Sequence, residues 1–375
     1  MTAFRLIKPQ LPPLDVVSRY FKLSEDASWF TNFGPCYQAL KNKLLEITKA
    51  ESGLVVSNAT VALELVLKSV KKSLPANTRK IYVVTPSYTF AATTTAIRNA
   101  GLYPLYVDVD LHDWHASVNI LNELINELGD QISCLLLCST FGTTPSIEKL
   151  QGWKKSAETI GVPLFIDCAA GFGGNFDPSK NEISVADAVI YSMHATKPFA
   201  VGEGGIILGK KNLTESCLSL ANFGFKEDRT FSEFGSNSKI SEIMCATALA
   251  ALETYPSHLK SRREIFSQYY EELKLEERIK FQFGYENCTW QSLFIQIDSS
   301  DNLAKIKAGL QTKEIQFRND WFPPTHMSVP SKHGRESLGN TNQLSSGALT
   351  LPIWLGMTQE QIHFISGVVR DSLHH

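Results

Sequence analysis

The stretch Phe165-Ile166-Asp167-Cys168-Ala169-Ala170 decides the fold, because an apolar run ends there in a carboxylate that small residues follow. Such a run, bounded by Gly and Pro on one side and Asp on the other, is typical of a buried β-strand. Similar short runs recur between residues 50 and 210. The predicted strands are Ile81–Val84, Leu105–Val107, Ile132–Cys138, Pro163–Ile166, Ala188–Tyr191 and Gly205–Leu208.

Longer segments with helical periodicity separate these runs. They predict helices at Thr60–Val70, Phe90–Asn99, Val118–Leu128 and Ile147–Ile160. Strands that alternate with helices of this length predict an α/β fold, with a mostly parallel sheet flanked by helices. Ligands gather at the carboxyl ends of the strands in such sheets, so we expect Asp167 at a ligand site.

After residue 210 the pattern changes to that of a smaller α+β domain. We place the large domain at 1–240 and the small C-terminal domain at 241–375. A long helix is predicted from about Ser241 to Glu272, interrupted near Pro256, and the polar stretch Ser328–Ser346 is predicted to be a surface or lid loop. The other predicted elements are strands at Ile279–Phe283 and Leu293–Ile297 and helices near Leu303–Leu310 and Thr358–Ser372.

Charge and hydropathy exclude several classes of function. The 36 basic and 38 acidic residues are spread along the chain, with no basic block for nucleic acid. No apolar run reaches the roughly 20 residues that a bilayer span needs, and the N-terminal stretch has no apolar core of signal-peptide length, so we expect no signal peptide. Cys134 and Cys138 lie in an apolar run, which favours buried free thiols over a disulfide framework or a metal site. These features predict a cytoplasmic protein.

A lysine follows the predicted strand Ala188–Tyr191 in the motif Ser192-Met193-His194-Ala195-Thr196-Lys197. At this position its amine can reach a ligand at the edge of the sheet. If it is desolvated there, its pKa falls and it becomes a competent imine-forming amine. The alternative is a solvated surface lysine, which composition alone favours.

Asp167 strengthens the interpretation of Lys197 as an imine-forming amine. A lone carboxylate at the end of a buried strand is unfavourable without a partner, and the protonated nitrogen of a pyridine ring is such a partner. This pairing keeps the ring of pyridoxal phosphate (PLP) an effective electron sink. Asp167 and Lys197 end two strands of one predicted sheet, so they could face one cofactor from different sides. Asp167 could instead be a helix N-cap.

Two further segments fit a flat phosphate-bearing cofactor. Ser57-Asn58-Ala59-Thr60 opens a helix, where backbone amides and a hydroxyl can bind phosphate, although N-caps use the same residue types. Thr85-Pro86-Ser87-Tyr88-Thr89-Phe90 ends a strand and supplies an aromatic ring for stacking, with core packing as the alternative.

In their order along the chain, these motifs resemble the DegT/DnrJ/EryC1/StrS family of sugar aminotransferases, which have the aspartate-aminotransferase (type I) PLP fold. The resemblance covers nearly the whole chain. The other matching segments are Thr31–Pro35, Gly101–Pro104, Val107–Asp110, Phe141-Gly142, Gly235–Glu242, Pro323–His326 and Leu351-Pro352.

The resemblance implies a role for each matching residue in a large PLP-binding domain. Lys197 would form the Schiff base with PLP and shuttle the proton, and Asp167 would hold the pyridinium nitrogen. Asn237 would reach the phosphate of the neighbouring subunit's PLP, which implies a homodimer. The remaining implied roles are phosphate binding by Ala59, Thr60 and Ser192, ring stacking by Phe90, and substrate binding by His194, Arg318 and His326.

The sequence departs from the family at Ala170, where a Gln or His near the phenolic oxygen of PLP is common. Sugar dehydratases of the same family carry His where this chain has Lys197, so the lysine favours transamination.

The resemblance therefore implies a PLP-dependent aminotransferase that moves an amino group from L-glutamate to a nucleotide-linked keto-deoxysugar by a ping-pong mechanism. We expect a dTDP-linked 4-keto-6-deoxyhexose, with the ketone at C3 as the alternative. The rival functions are a PLP-dependent sugar dehydratase and a catalytically silent PLP-binding regulator.

Overall fold

The computed structural model describes residues 4–175, 177, 179–225, 228–231, 234–333 and 337–374. They form two sheets with helices packed around them. The helices are α1 (Leu14–Ala27), α2 (Pro35–Thr48), α3 (Ala59–Ser73), α4 (Ala91–Asn99), α5 (Val118–Leu128), α6 (Ile147–Thr159), α7 (Lys211–Ala221), α8 (Glu242–Leu273), α9 (Ser300–Thr312), α10 (Thr325–Ser328), α11 (Gly339–Gly347) and α12 (Gln359–His374).

The larger sheet has seven strands in the order β1-β7-β6-β5-β4-β2-β3, and β7 is antiparallel to both of its neighbours while the other pairs are parallel. A second sheet is antiparallel, in the order β10-β9-β8. The predicted α/β class is therefore confirmed. The strands are β1 (Ser52–Val56), β2 (Tyr82–Pro86), β3 (Tyr103–Val107), β4 (Ile132–Cys138), β5 (Leu164–Asp167), β6 (Ala188–Ser192), β7 (Gly205–Gly209), β8 (Ile279–Phe281), β9 (Leu293–Ile297) and β10 (Ala348–Leu351).

Buried apolar side chains gather in two main clusters, which we call the larger and the smaller cluster. The larger cluster surrounds the seven-stranded sheet, and the smaller one surrounds the three-stranded sheet. Helix α8 belongs to both, because Cys245 and Tyr255 lie in the larger cluster and Ile265 and Leu273 in the smaller. The change from one core to the other thus falls within this helix, while the domain boundary at residue 240 stays a prediction.

The expected interruption at Pro256 is wrong, because α8 runs unbroken through it for 32 residues. Proline in a helix interior removes one backbone hydrogen bond and costs about 3 kcal/mol or more. Pro256 is exposed, and packing of the helix into a cluster on either side, through Tyr255 and Ile265 among others, outweighs that cost.

The expected loop at Ser328–Ser346 is wrong over its second half, where α11 is a helix. The carboxylate of Asp108 accepts hydrogen bonds from the backbone amides of Asn340 and Thr341 at 2.9 and 2.8 Å, and so caps this helix from a different element. Leu344 is buried on its inner face. Residues 334–336 lie outside the described part of the chain.

All seven cysteines are buried and free, as predicted for Cys134 and Cys138. Among the described residues, no helix has both the length and the apolar character that crossing a bilayer requires.

Candidate active site

A cavity of about 660 Å³ opens at the carboxyl ends of β5 and β6, where Asp167 and Ser192 are the last strand residues. Residues from the loops of the larger sheet line one part of it. Residues from β9, from the segment just before β9 and from the segment before α10 line the rest. The lining includes Asn58, Ala59, Thr60, Phe90, Ser139, Phe141, Asp167, Ala170, Ser192, His194, Lys197, Gln291, Phe294, Arg318, Asp320 and Trp321.

Asp167 is 5% exposed and is held by two hydrogen bonds. The hydroxyl of Thr93 donates to Oδ2 at 2.7 Å, and the backbone amide of Ala169 donates to Oδ1 at 3.1 Å. Burial raises the pKa of the Asp167 carboxyl above its ordinary value, while the Thr93 hydrogen bond opposes that rise. A cation or a protonated ring nitrogen in the cavity would stabilise the charged carboxylate.

Lys197 reaches the same cavity from the turn that follows β6. Its backbone amide donates to the carbonyl of His194 at 2.8 Å, which closes this turn. Its Nζ donates to Oε1 of Gln291 at 3.4 Å. Burial lowers the pKa of the Lys197 amine, and the nearby charge of Asp167 opposes the shift. A lowered pKa increases the fraction of neutral amine, which is the nucleophilic form.

The start of α3 forms a cradle for an anion. The Asn58 side chain caps this helix by accepting from the Val61 amide at 2.9 Å, and Ala59 and Thr60 in the first turn line the cavity. Gly205 on β7 makes room for this turn, because a Cβ there would lie 2.7 Å from the Ala59 nitrogen. The helix dipole and the first-turn amides favour a phosphate at this point.

Three aromatic rings form a stack along the cavity wall. Phe141 lies between Phe294 and Trp321, with ring centroids 3.8 and 4.0 Å away and interplanar angles of 10° and 20°. Phe90 also lines the cavity and is 61% exposed, so its ring is available for stacking.

The structure brings together most of the predicted site residues. Arg318 lines the cavity and pairs with Asp320, with 3.2 Å between Nε and Oδ1. His194 lies at the rim of the cavity, with 3.6 Å between its Nε2 and Oε1 of Glu203. The residues predicted here that line the cavity are Ala59, Thr60, Phe90, Asp167, Ser192, His194, Lys197 and Arg318.

Two predicted residues lie outside the lining. The ring of His326 meets the Ser87 hydroxyl, with 2.7 Å between Nδ1 and Oγ. Asn237 pairs with Asn222 in an isolated antiparallel bridge. The predicted role of Asn237 depends on a second subunit, so its position in one chain leaves that role a prediction.

The sequence did not reveal Gln291, Phe294 or Trp321 as site residues. They come from the smaller sheet and the segment before α10, and no spacing in the sequence links them to Lys197. At Ala170 the cavity is lined by a methyl group, and the backbone carbonyl of this residue accepts a hydrogen bond from Thr289 at 2.6 Å.

The residues present fit PLP. A lysine amine of lowered pKa, a buried carboxylate and an anion cradle line one cavity, and they match the aldehyde, the ring nitrogen and the phosphate of that cofactor.

Comparison with known proteins adds independent evidence. The model of the DegT/DnrJ/EryC1/StrS aminotransferase family matches residues 17–370. The chain is 27% identical over 365 residues to the dTDP-4-amino-4,6-dideoxy-D-glucose transaminase of Escherichia coli, which covers 94% of each chain. It is 29% identical over 378 residues to protein Rv3402c of Mycobacterium tuberculosis, covering 98% of this chain and 89% of the relative.

Solved structures share the fold. A Bacillus cereus protein, described provisionally as a PLP-dependent aminotransferase, superposes with a TM-score of 0.88 at 26% identity, over 98% of this chain and 100% of its own. DesI, solved in the presence of its TDP-sugar product, gives a TM-score of 0.87 at 22% identity, over 100% of this chain and 94% of its own.

Proposed function

This chain belongs to the DegT/DnrJ/EryC1/StrS aminotransferase family, which includes PLP-dependent sugar aminotransferases. On that premise we propose that it moves an amino group from L-glutamate to a nucleotide-linked keto-deoxysugar. The observation that carries the proposal is the pair of Lys197 and Asp167 on the wall of one cavity, each buried enough to have a shifted pKa.

We assign the cofactor contacts as follows. The first turn of α3, through Ala59 and Thr60, and the Ser192 hydroxyl hold the phosphate. Asp167 keeps a proton on the ring nitrogen, because its charged form then gains the partner that burial otherwise denies it. Phe90, which is exposed at the cavity, stacks on the ring. When bound, PLP supplies an electron sink that stabilises charge at the substrate carbon.

Lys197 has two tasks in this proposal. Its amine, which attacks in the neutral form, would link the cofactor covalently between turnovers. The same amine, once released, would take a proton from Cα of the amino donor and return it to the bound cofactor. Burial favours the neutral amine in both tasks, because it lowers the pKa of Lys197. The sugar dehydratases of the family carry a histidine at this position, which cannot form the covalent link. Because this chain has a lysine there, transamination is favoured over dehydration.

The second substrate is a nucleotide sugar, and we propose a dTDP-linked 4-keto-6-deoxyhexose. The Escherichia coli relative named above is a transaminase of a dTDP-linked 4-amino sugar, which supports this choice. Arg318 offers a planar guanidinium to the diphosphate, and the aromatic stack offers Trp321 as a flat surface for the sugar ring. The ring ketone at C3 is the alternative.

We further propose that the protein works as a cytoplasmic homodimer. Asn237 would then contact the phosphate held by the partner subunit. The polar segment around Asn237 lies outside the cavity of its own chain, which is compatible with a role across an interface.

The test is an absorbance spectrum of the PLP-loaded protein before and after L-glutamate is added. We expect the visible band of PLP linked to Lys197 to give way to a band at shorter wavelength, with release of 2-oxoglutarate. Lys197→Ala should lack the visible band. Candidate dTDP- and GDP-linked keto sugars are then supplied, and the product mass distinguishes amination from dehydration.

A visible band that no amino donor changes would reject the transaminase and favour a PLP-binding regulator. Turnover confined to a GDP-linked sugar would reject the nucleotide assignment while leaving the reaction class intact.

A further inference from the structure

Gln291 is a polar cavity residue to which the proposed function assigns no task. Its Oε1 accepts the 3.4 Å hydrogen bond from Lys197 Nζ, and within the described ranges this is the one hydrogen bond that the amine makes. Gln291 is itself only 8% exposed. It lies two residues before β9 begins, so a segment of the smaller sheet supplies the partner of a lysine that follows a strand of the larger sheet.

Arg262 on α8 fixes the backbone at Gln291. Its Nη1 donates to the carbonyls of Trp290, Gln291 and Ile353 at 3.1, 3.3 and 3.4 Å. Burial lowers the pKa of this guanidinium to about 10, and no carboxylate pairs with it among the residues that the structure describes. The Nε of Arg262 is buried without a hydrogen-bond partner among the described residues, so the three carbonyls on Nη1 compensate for burying this cation and hold it against the backbone at Gln291.

The same segment is docked on the turn that follows Asp167. The Thr289 hydroxyl donates to the carbonyl of Ala170, and Gly142 provides the space for this contact. A Cβ at Gly142 would lie 2.9 Å from the Ala170 carbonyl carbon, and its φ of +84° favours glycine. Gln291 is therefore fixed with respect to both groups of the catalytic pair.

We propose that Gln291 is a positioning residue that holds the free amine of Lys197 whenever the cofactor is not linked to it, and that Arg262 fixes Gln291 for this task. The inference rests on the proposed role of Lys197. A hydrogen bond to a carbonyl oxygen restricts rotation of the amine and favours its protonated form. The other titratable groups whose charge acts on the amine are Asp167, Cys138, Asp320 and Arg318.

The test measures how fast acetic anhydride modifies Lys197 in the full-length protein stripped of PLP, over a range of pH, with peptide mass spectrometry to identify the site. Only the neutral amine reacts. At a pH well below the midpoint, we expect Gln291→Leu to react about tenfold faster than the natural sequence, because one hydrogen bond to the charged form is lost. Gln291→Glu should react more slowly, since a carboxylate favours the ammonium.

Gln296 supplies the matched control. It is a buried glutamine on β9 whose amide nitrogen donates to the Gln343 carbonyl at 3.2 Å, away from Lys197. Gln296→Leu should leave the labelling profile of Lys197 unchanged. Arg262→Met should change the profile in the direction of Gln291→Leu, and combining the two substitutions should add nothing, because Arg262 acts through Gln291.

Opposite changes in the two Gln291 variants support the inference, because simple loosening of the site would move both variants in one direction. An unchanged profile in Gln291→Leu, or a change of the same sign in both variants, overturns it. The Gln291 pair decides the question even if Arg262→Met does not fold. A visible PLP band that persists in Lys197→Ala would instead refute the assigned lysine, so the two failures are distinguishable.

Discussion

Thr93→Val tests how the buried carboxylate is held. The Thr93 hydroxyl donates to Asp167 at 2.7 Å, and because its proton is used there, the Thr89 hydroxyl donates to Thr93 Oγ1 at 3.0 Å. Valine keeps the shape of threonine and removes both hydrogen bonds. Thr94 is the matched control, since it is the next residue of α4, is also buried, and its hydroxyl has no hydrogen-bond partner among the described residues.

The expected magnitude follows from the charge of the acceptor. A hydrogen bond to an ionised group contributes about 1.5–3 kcal/mol, so we expect Thr93→Val to lower the free energy of unfolding by about 2 kcal/mol at neutral pH. Thr94→Val should change it by less than about 0.5 kcal/mol, or raise it, because an unpaired buried hydroxyl is removed.

The pH dependence has a definite sign. Burial raises the pKa of Asp167, and the hydrogen bond from Thr93 lowers it. Thr93→Val removes the lowering effect, so the pKa of Asp167 rises. The folded variant then binds more protons than the natural fold, and its stability relative to the natural sequence falls as pH rises through the titration of Asp167.

The assay is urea unfolding of the PLP-free chain at a pH on either side of that range, for both variants. Equal losses in Thr93→Val and Thr94→Val, or a loss in Thr93→Val that does not depend on pH, would refute this account of Asp167. In the PLP-loaded protein, we expect the reaction with L-glutamate to slow more in Thr93→Val than in Thr94→Val.

Two further substitutions probe the cradle and the carboxylate. Gly205→Ala puts a Cβ against the Asn58–Ala59 backbone, so a spectroscopic titration should show PLP binding that is about tenfold weaker or worse. Gly367→Ala is the control, because a Cβ there has no neighbour within 4 Å, and it should bind PLP normally in the same titration. Normal affinity in Gly205→Ala would show that this turn does not bind the phosphate. Asp167→Asn removes the charge that burial penalises. The free energy of unfolding of this variant, relative to the natural sequence, should therefore rise with pH above the ordinary titration range of a carboxyl. A difference in free energy that does not change with pH would contradict the raised pKa of Asp167.

The larger sheet could be predicted because its strands are buried on both faces and therefore read as apolar runs between turn residues. Ile132–Cys138 illustrates this, since all seven of its residues are buried and the predicted and observed bounds coincide. Strand β1 contains only three consecutive large apolar residues after Ser52 and Gly53, too few for a period to stand out. Helix α11 has a polar sequence, and its capping comes from Asp108, which is 232 and 233 residues away from the two amides that it accepts from.

The site divides in the same way. Asp167 and Lys197 each follow a strand that the sequence reveals, so their meeting at one sheet edge could be expected. Gln291 and Trp321 reach the cavity only because the smaller sheet docks against the larger one. The hydrogen bond from the Thr289 hydroxyl to the Ala170 carbonyl is one of the contacts that join the two. Local sequence carries no record of contacts between elements so far apart.

Because every cysteine is buried, the natural thiols can be used to measure local opening of the fold. A thiol reagent reaches the cysteines away from the active-site cavity only when a region of the folded protein opens, so the rate at each of these sites measures local stability. Cys217 and Cys245 lie in the larger cluster and Cys288 in the smaller. Labelling resolved by peptide therefore times the loosening of the two cores separately, in the unaltered chain and without an introduced probe. Cys138 borders the cavity, so its rate also reports ligand occupancy.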